Sequence, residues 1–223
     1  MKKILVGLMT IAIVCLLIGA GTFAYFSDPE TSTGNPFTAG TLNLVPSTSG
    51  TGPSGKYTVT PGGDGINGKV VFDRLAPDNS GSITWTLQND GNLDGTLTMA
   101  STTTFAENGS NEPEAAAVGN NGGGNGDLDQ YVGVRVKRNG TYFLGDASNY
   151  VPFSGLAAAL NAESQSLVAS GTLTYVLEWQ IASDVKDAGA DGKFGTIDDV
   201  QVDDNIIQSD QATVDITFTL AQA

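Results

Sequence analysis

The sequence has no histidine, and its 223 residues include a single cysteine, Cys15. Without histidine there is no His-based catalytic triad and no zinc site of the usual nitrogen and sulfur kind. An H-E-x-x-H metallopeptidase helix is likewise excluded. Cys15 lies inside an N-terminal apolar run that continues through Leu16, Leu17 and Ile18. A lipid-modified cysteine would end such a run, so this reading fails, and the processed chain is expected to contain no cysteine. Its stability must then come from a packed core. Basic residues are also scarce, 10 Lys and Arg against 24 Asp and Glu, for a net charge of -14. Nucleic acid is excluded as a partner, because binding it requires clustered cations to neutralise phosphates. Acidity on this scale keeps an exported chain soluble and attracts divalent cations. No second long apolar run follows residue 24, so the expected membrane contact is through the leader alone, before cleavage.

What is present begins with Lys2 and Lys3, followed by an uncharged stretch whose strongly apolar part, 4–18, has the length of a secretory h-region. Small residues follow at Gly19, Ala20, Gly21, Thr22 and Ala24, and Thr22 with Ala24 supply a small-x-small cleavage pattern. Residues 1–24 are therefore read as a signal peptide cut after Ala24. A type IV pilin leader fits less well, since its peptidase cuts before the apolar run and no basic-Gly junction stands there.

The rest reads as β-structure with glycine-rich punctuation. Short windows of alternating apolar and polar residues occur at 40–45, 56–60, 69–74, 82–88, 95–101, 131–138, 141–145, 172–182 and 212–220. They predict an all-β, jelly-roll-like antiparallel sandwich of about nine strands, in a single domain over 39–223. Period-2 spacing puts Ile83, Trp85 and Leu87 on one face, and Val214, Ile216, Phe218 and Leu220 on another. Both rows are expected in the core, as are Trp85 and Trp179. Arg138-Asn139-Gly140-Thr141 predicts a type I′ hairpin, because Asn-Gly tolerates two successive positive φ angles. Residues 105–129, with their NNGGGNGD run, are expected to be a surface loop. Residues 156–168 are expected to supply one short helix.

The one metal-like pattern is DAGADGKFGTID at 187–198, with Asp187, Asp191 and Asp198 at positions 1, 5 and 12 and Gly192 at 6 of a calcium-loop spacing. Position 3 is Gly189, position 12 is Asp where Glu is usual, and strand-like sequence flanks the loop. It is therefore no EF-hand; the expectation is a calcium-stiffened loop between strands, with Asp199 as a further ligand and Asp184, Asp203 and Asp204 in reserve. The same Asp and Gly content also suits a solvated hairpin insertion. No other cofactor is expected, no G-x-S-x-G is present, and no catalytic residue is assigned. Asn108 and Asn139 head N-x-S/T sequons; for Asn139 the hairpin is the better explanation.

Three stretches carry a family resemblance. GTFAYFSD is followed by FTAGTLNL at 37–44; LAPDNSGSITWTLQNDGNLDGTLTM at 75–99 is similar to an "L-x-P-G-D, strand, N-x-G" pattern, with Asp78-Asn79 in place of Gly-Asp; TVDITFTLAQA closes the chain. In order and spacing these resemble the TasA/camelysin family of secreted matrix fibre proteins, which includes archaeal bundling pilins. The resemblance implies a secreted, extracellular subunit that polymerises with its own kind by donor-strand complementation into a biofilm-matrix fibre, with an anchoring or accessory subunit as a further partner. Residues 25–38 suit the donor role: a polar, Pro- and Gly-broken segment with isolated apolar residues Tyr25, Phe26 and Phe37, too little to fold alone but enough to fill a neighbour's groove. The family's metalloendopeptidase label finds no residues to rest on. A membrane-anchored monomeric adhesin that keeps residues 4–27 as a span is the alternative from another class, with a protease a weaker third.

Overall fold

A computed structural model describes residues 41–54, 56–60, 67–107 and 126–222. The expected signal peptide, the donor segment with Tyr25, Phe26 and Phe37, and the Asn108 sequon all lie outside the described residues.

Two antiparallel sheets form a sandwich. The first orders β1 (Leu44–Thr51), β4 (Ser80–Asn89), β10 (Thr172–Gln180), β6 (Gly133–Arg138) and β7 (Thr141–Leu144), with β8 (Val151–Pro152) also pairing with β6. The second orders β2 (Tyr57–Thr60), β3 (Asn67–Asp73), β13 (Asp210–Gln222), β5 (Gly95–Glu107) and β9 (Ser164–Leu167). β11 (Lys186–Asp187) and β12 (Val200–Gln201) make a small separate ribbon at the foot of the acidic loop. Every pairing is antiparallel, as expected of a sandwich.

Alternation puts the core where the sequence implies. On β4, Ile83, Trp85 and Leu87 are buried; on β10, Leu173, Tyr175, Leu177 and Trp179; on β13, Val214, Ile216 and Phe218, while Leu220 packs partly buried against them. The layers meet through aromatic rings. Phe72 of β3 stands edge-on to Trp179 of β10 at 5.4 Å, Phe153 meets both Phe72 and Phe105, and Trp85 of β4 reaches Phe218 of β13 at 6.4 Å. Edge-to-face contacts align the positive ring edge with the negative face and add to the gain from burial.

The hairpin is as read: β6 and β7 pair, with φ of 46° at Asn139 and 84° at Gly140. Three expectations need correction. β1 starts at Leu44 and continues to Thr51, beyond the 40–45 window, although LVPSTSGT has little alternation. Its strand character comes from pairing with β4 along its whole length, and an edge position in the sheet tolerates Pro46. β5 continues past Ser101 to Glu107, into the segment expected to be loop, because a thirteen-residue ladder with β13 satisfies its backbone. Residues 128–131, partly read as strand, form a helical turn, α1 (Leu128–Tyr131); a second, α2 (Leu156–Asn161), is the expected short helix. Leu156 and Leu160 anchor α2, one turn apart on one face.

Phe72→Ala is expected to cost about 3–5 kcal/mol by denaturant unfolding, since it removes the ring between Trp179 and Phe153.

Candidate functional site

The described chain begins at a junction built from two of the stretches that carry the family resemblance. Thr41 and Asn43 run beside the β4–β5 turn. Asp90 N–H donates to Asn43 O at 2.7 Å, Asn92 N–H to Thr41 O at 3.0 Å, and Thr41 N–H to Asn92 Oδ1 at 2.7 Å. Gly91 lies so close to Thr41 that an added Cβ would overlap its carbonyl. Asn89 organises the turn from below: fully buried, its amide donates to Leu93 O at 2.8 Å and Leu167 O at 3.2 Å, while its Oδ1 accepts from Gly91 N–H. The "N-x-G" element is thus a clamp on the strand that leads out of the N-terminal region. In the upstream turn, Asp78 occupies the position where the family pattern carries glycine, and it has φ 64°. A left-handed backbone there explains the glycine, and Asp is one of the few other residues that tolerates it.

The acidic loop brings the expected calcium residues together in one hairpin insertion. Thr196 is its hub: its hydroxyl lies 2.7 Å from Asp198 Oδ1, 3.1 Å from Asp199 Oδ1 and 3.5 Å from Asp191 Oδ1. Asp198 Oδ2 accepts from Ala190 and Asp191 N–H, Asp199 Oδ2 from Gly195 N–H, and Asp187 Oδ1 from Gly189 N–H. The Thr196 hydroxyl first, and then the Asp191 amide, hold the Asp198 carboxyl below its ordinary value. Gly189, the departure at position 3, has φ 64°, and a Cβ there would overlap the Asp198 carbonyl. Among the described residues no group of three or more acidic, His or Cys side chains is arranged to hold a metal ion. The loop's carboxylates are turned instead to its own N–H groups. A cavity of about 110 Å³ between this loop and the sheet, lined by Tyr131, Gln180, Lys186, Phe194 and Asp199, is smaller than the usual small-molecule site.

Sequence reading missed a third cluster, on the outer face of the first sheet. Glu178 of β10 accepts from Arg135 at 2.5 Å and pairs with Lys137 at 2.5 Å, both on β6. Burial pushes its carboxyl up, but the hydrogen bonds from Lys137 and Arg135 outweigh this and hold it below the ordinary value. Arg135 also lies over the rings of Tyr142 and Tyr150 and donates to Asp146 O and Ala147 O. Its Nε and Nη1 donors are spent on the fold, so the cluster reads as a brace. Only its alternate spacing on β6 was visible in advance.

A family model described as camelysin metallo-endopeptidase matches residues 1–50, in agreement with the resemblance read at the N terminus. The match covers less than a quarter of the chain. No curated protein and no solved structure matches. The metal implied by that description does not fit the residues present, as the chain has no histidine and Cys15 is its sole thiol. Among the described residues no helix is long and apolar enough to cross a membrane.

Asn89→Ala would take the side-chain amide donor away from the half-buried Leu93 carbonyl and the buried Leu167 carbonyl. It is expected to lower stability by about 1–3 kcal/mol, with faster hydrogen exchange confined at first to residues 41–43 and 90–93.

Proposed function

We propose that this chain is a secreted structural subunit, with no catalytic role, that polymerises into an extracellular fibre by lending residues 25–37 as a strand to the next copy. The observation that carries the reading is the clamp at Thr41. A segment used as a tether needs its root fixed, and the hydrogen bonds from Asp90 and Asn92 fix it immediately after the proposed donor. β1, which follows, terminates the first sheet in the described strand order and supplies an edge of the kind that strand addition uses. Donor and acceptor are different surfaces, so the contact is heterologous and extends into a filament unless it closes as a ring. The camelysin match over residues 1–50 covers the donor and its root.

Protein beginning at Tyr25 should form filaments visible by negative stain, and protein beginning at Thr38 should remain monomeric by sedimentation. Filaments from the shorter form would overturn donor-strand assembly. The anchored adhesin keeps one observation in its favour, the uncharged run 4–27. A native N-terminal mass that retains Met1 would support it over the fibre.

Calcium at Asp187, Asp191, Asp198 and Asp199 is a subsidiary proposal. Binding would require these carboxylates to exchange N–H contacts for the ion. Millimolar calcium is then expected to raise the melting temperature and slow proteolysis within 187–199, and unchanged cleavage would remove calcium from the account.

A further inference from the structure

Four large apolar residues are exposed among the described residues, and they fall at two places. Val45 and Val168 flank the Thr41 clamp. Val45 stands opposite Gln88, next to Asn89, and Val168 follows Leu167, whose carbonyl accepts from the Asn89 amide. Ile197, fully exposed, and Val200 belong to the acidic hairpin. β10 separates the two groups. Its first residue, Thr172, pairs with Gln88 beside the clamp, and its last, Gln180, pairs with Ser80 and Gly133 at the far end, from which the chain runs on into the acidic loop. The subunit thus has a clamp end and a loop end, roughly 27 Å apart along the nine residues of β10.

The loop end also holds the cavity of about 110 Å³. Tyr131, Gly133, Ala182 and Phe194 supply its apolar lining, while Gly195 and Asp199 tie it to the hairpin that carries Ile197 and Val200. Gly133 matters to its shape: a Cβ there would lie 2.9 Å from Tyr150 Cβ and 3.2 Å from Phe194 Cδ2, so any side chain would push Phe194 aside. An enclosed apolar cavity of about 150 Å³ takes up benzene, so this one is of the order of a single aromatic ring. Lone exposed apolar residues need no explanation. Two at each end of one subunit, one pair beside a ring-sized cavity, suit a contact in which unlike ends meet.

The chain itself supplies an occupant. Phe37 lies outside the described residues, four positions before Thr41, whose N–H and carbonyl are both held by Asn92. Four residues span at most about 14 Å. Phe37 therefore stays at the clamp end of its own subunit and cannot cross to that subunit's cavity, whereas the loop end of a neighbour is within its reach.

We infer that subunits stack clamp end to loop end, with Phe37 of one copy seated in the cavity of the next and with Val45 and Val168 facing Ile197 and Val200 across the joint. The inference rests on the strand-lending reading and names where the lent segment first engages. Seating the ring against Tyr131 and Phe194 buries it and allows edge-to-face contact. Pro36, with its fixed φ, limits what the segment loses in freedom on docking. Because the two surfaces differ, every subunit inside the stack uses both, and a cavity and a Phe37 stay unpaired only at the filament tips.

Protein beginning at Tyr25 contains no cysteine, so introduced cysteines report the joint. Thr38→Cys and Lys186→Cys variants, mixed, assembled and treated with a short bis-maleimide, should yield a crosslinked dimer of one variant with the other. Ile197→Asp changes a fully exposed side chain. It should leave the melting temperature at the wild-type value and raise the concentration needed for filaments about tenfold or more. Phe37→Ala should raise that concentration as well, and Phe37→Tyr should restore it. Filaments that form without the crosslink, or an Ile197→Asp variant that assembles as wild type does, would overturn the joint and leave strand lending standing. A failure of the Tyr25 form to make any filament would overturn both. Crosslinking within one chain, in a variant carrying both cysteines and diluted below assembly, would put the cavity's occupant in the same subunit and would also overturn the joint.

Discussion

Contact between the two sheets, through Phe72 against Trp179 and Trp85 against Phe218, is the constraint on which the remainder depends. A chain with one cysteine cannot form an internal disulfide, and here a large polar and acidic surface must be held by burial alone. The aromatic layer fixes β10 and β4 over β3 and β13. Those four strands in turn carry the peripheral pieces: β1 on β4, β6 on β10, β5 on β13. The acidic loop and the outer-face brace attach to elements already positioned by this layer. Their own networks shape them locally.

Where one face of a strand is buried, the sequence made it legible. SITWTLQN and ATVDITFTL were readable because each pairs a row of large apolar residues with a polar row, and both rows landed as spacing required. β1 and the far half of β5 were not, for a common reason. Ser, Thr, Gly and Pro there carry little alternation, and their strand character comes from partners distant in sequence. The brace of Arg135, Lys137 and Glu178 was not legible because its members come from two strands far apart in sequence, and outward charges on strands look like ordinary solvent-facing residues. The 187–198 spacing did bring the named acids into one loop, but spacing could not say whether their oxygens would face an ion or their own backbone. The family stretches fared differently. Nothing in FTAGTLNL or QNDGN marks one as the partner of the other, and only the fold shows that they hydrogen-bond each other.

The protein accommodates its acids in three physical ways. Glu178 is held by two cations on the neighbouring strand, which lower its carboxyl's proton affinity. Asp198 is held by a hydroxyl and two backbone amides, with the same effect and no counter-charge. Asp210 has one amide, two acidic neighbours and full burial, and its proton affinity moves the other way. Shared chemistry thus yields opposite responses to pH, according to whether donors or other acids surround the group.

The clamp at Thr41 has a mechanical consequence. β1 follows it into one sheet, whereas β13, the last strand, lies in the other. Tension between Thr41 and Gln222 therefore cannot run along a single ladder and must cross from layer to layer through the aromatic rings. Force along the axis of β1 would load its eight pairs with β4 in shear, all sharing the strain, and would not peel them open one at a time. A thread of such subunits would owe its breaking strength to side-chain packing as much as to backbone hydrogen bonds.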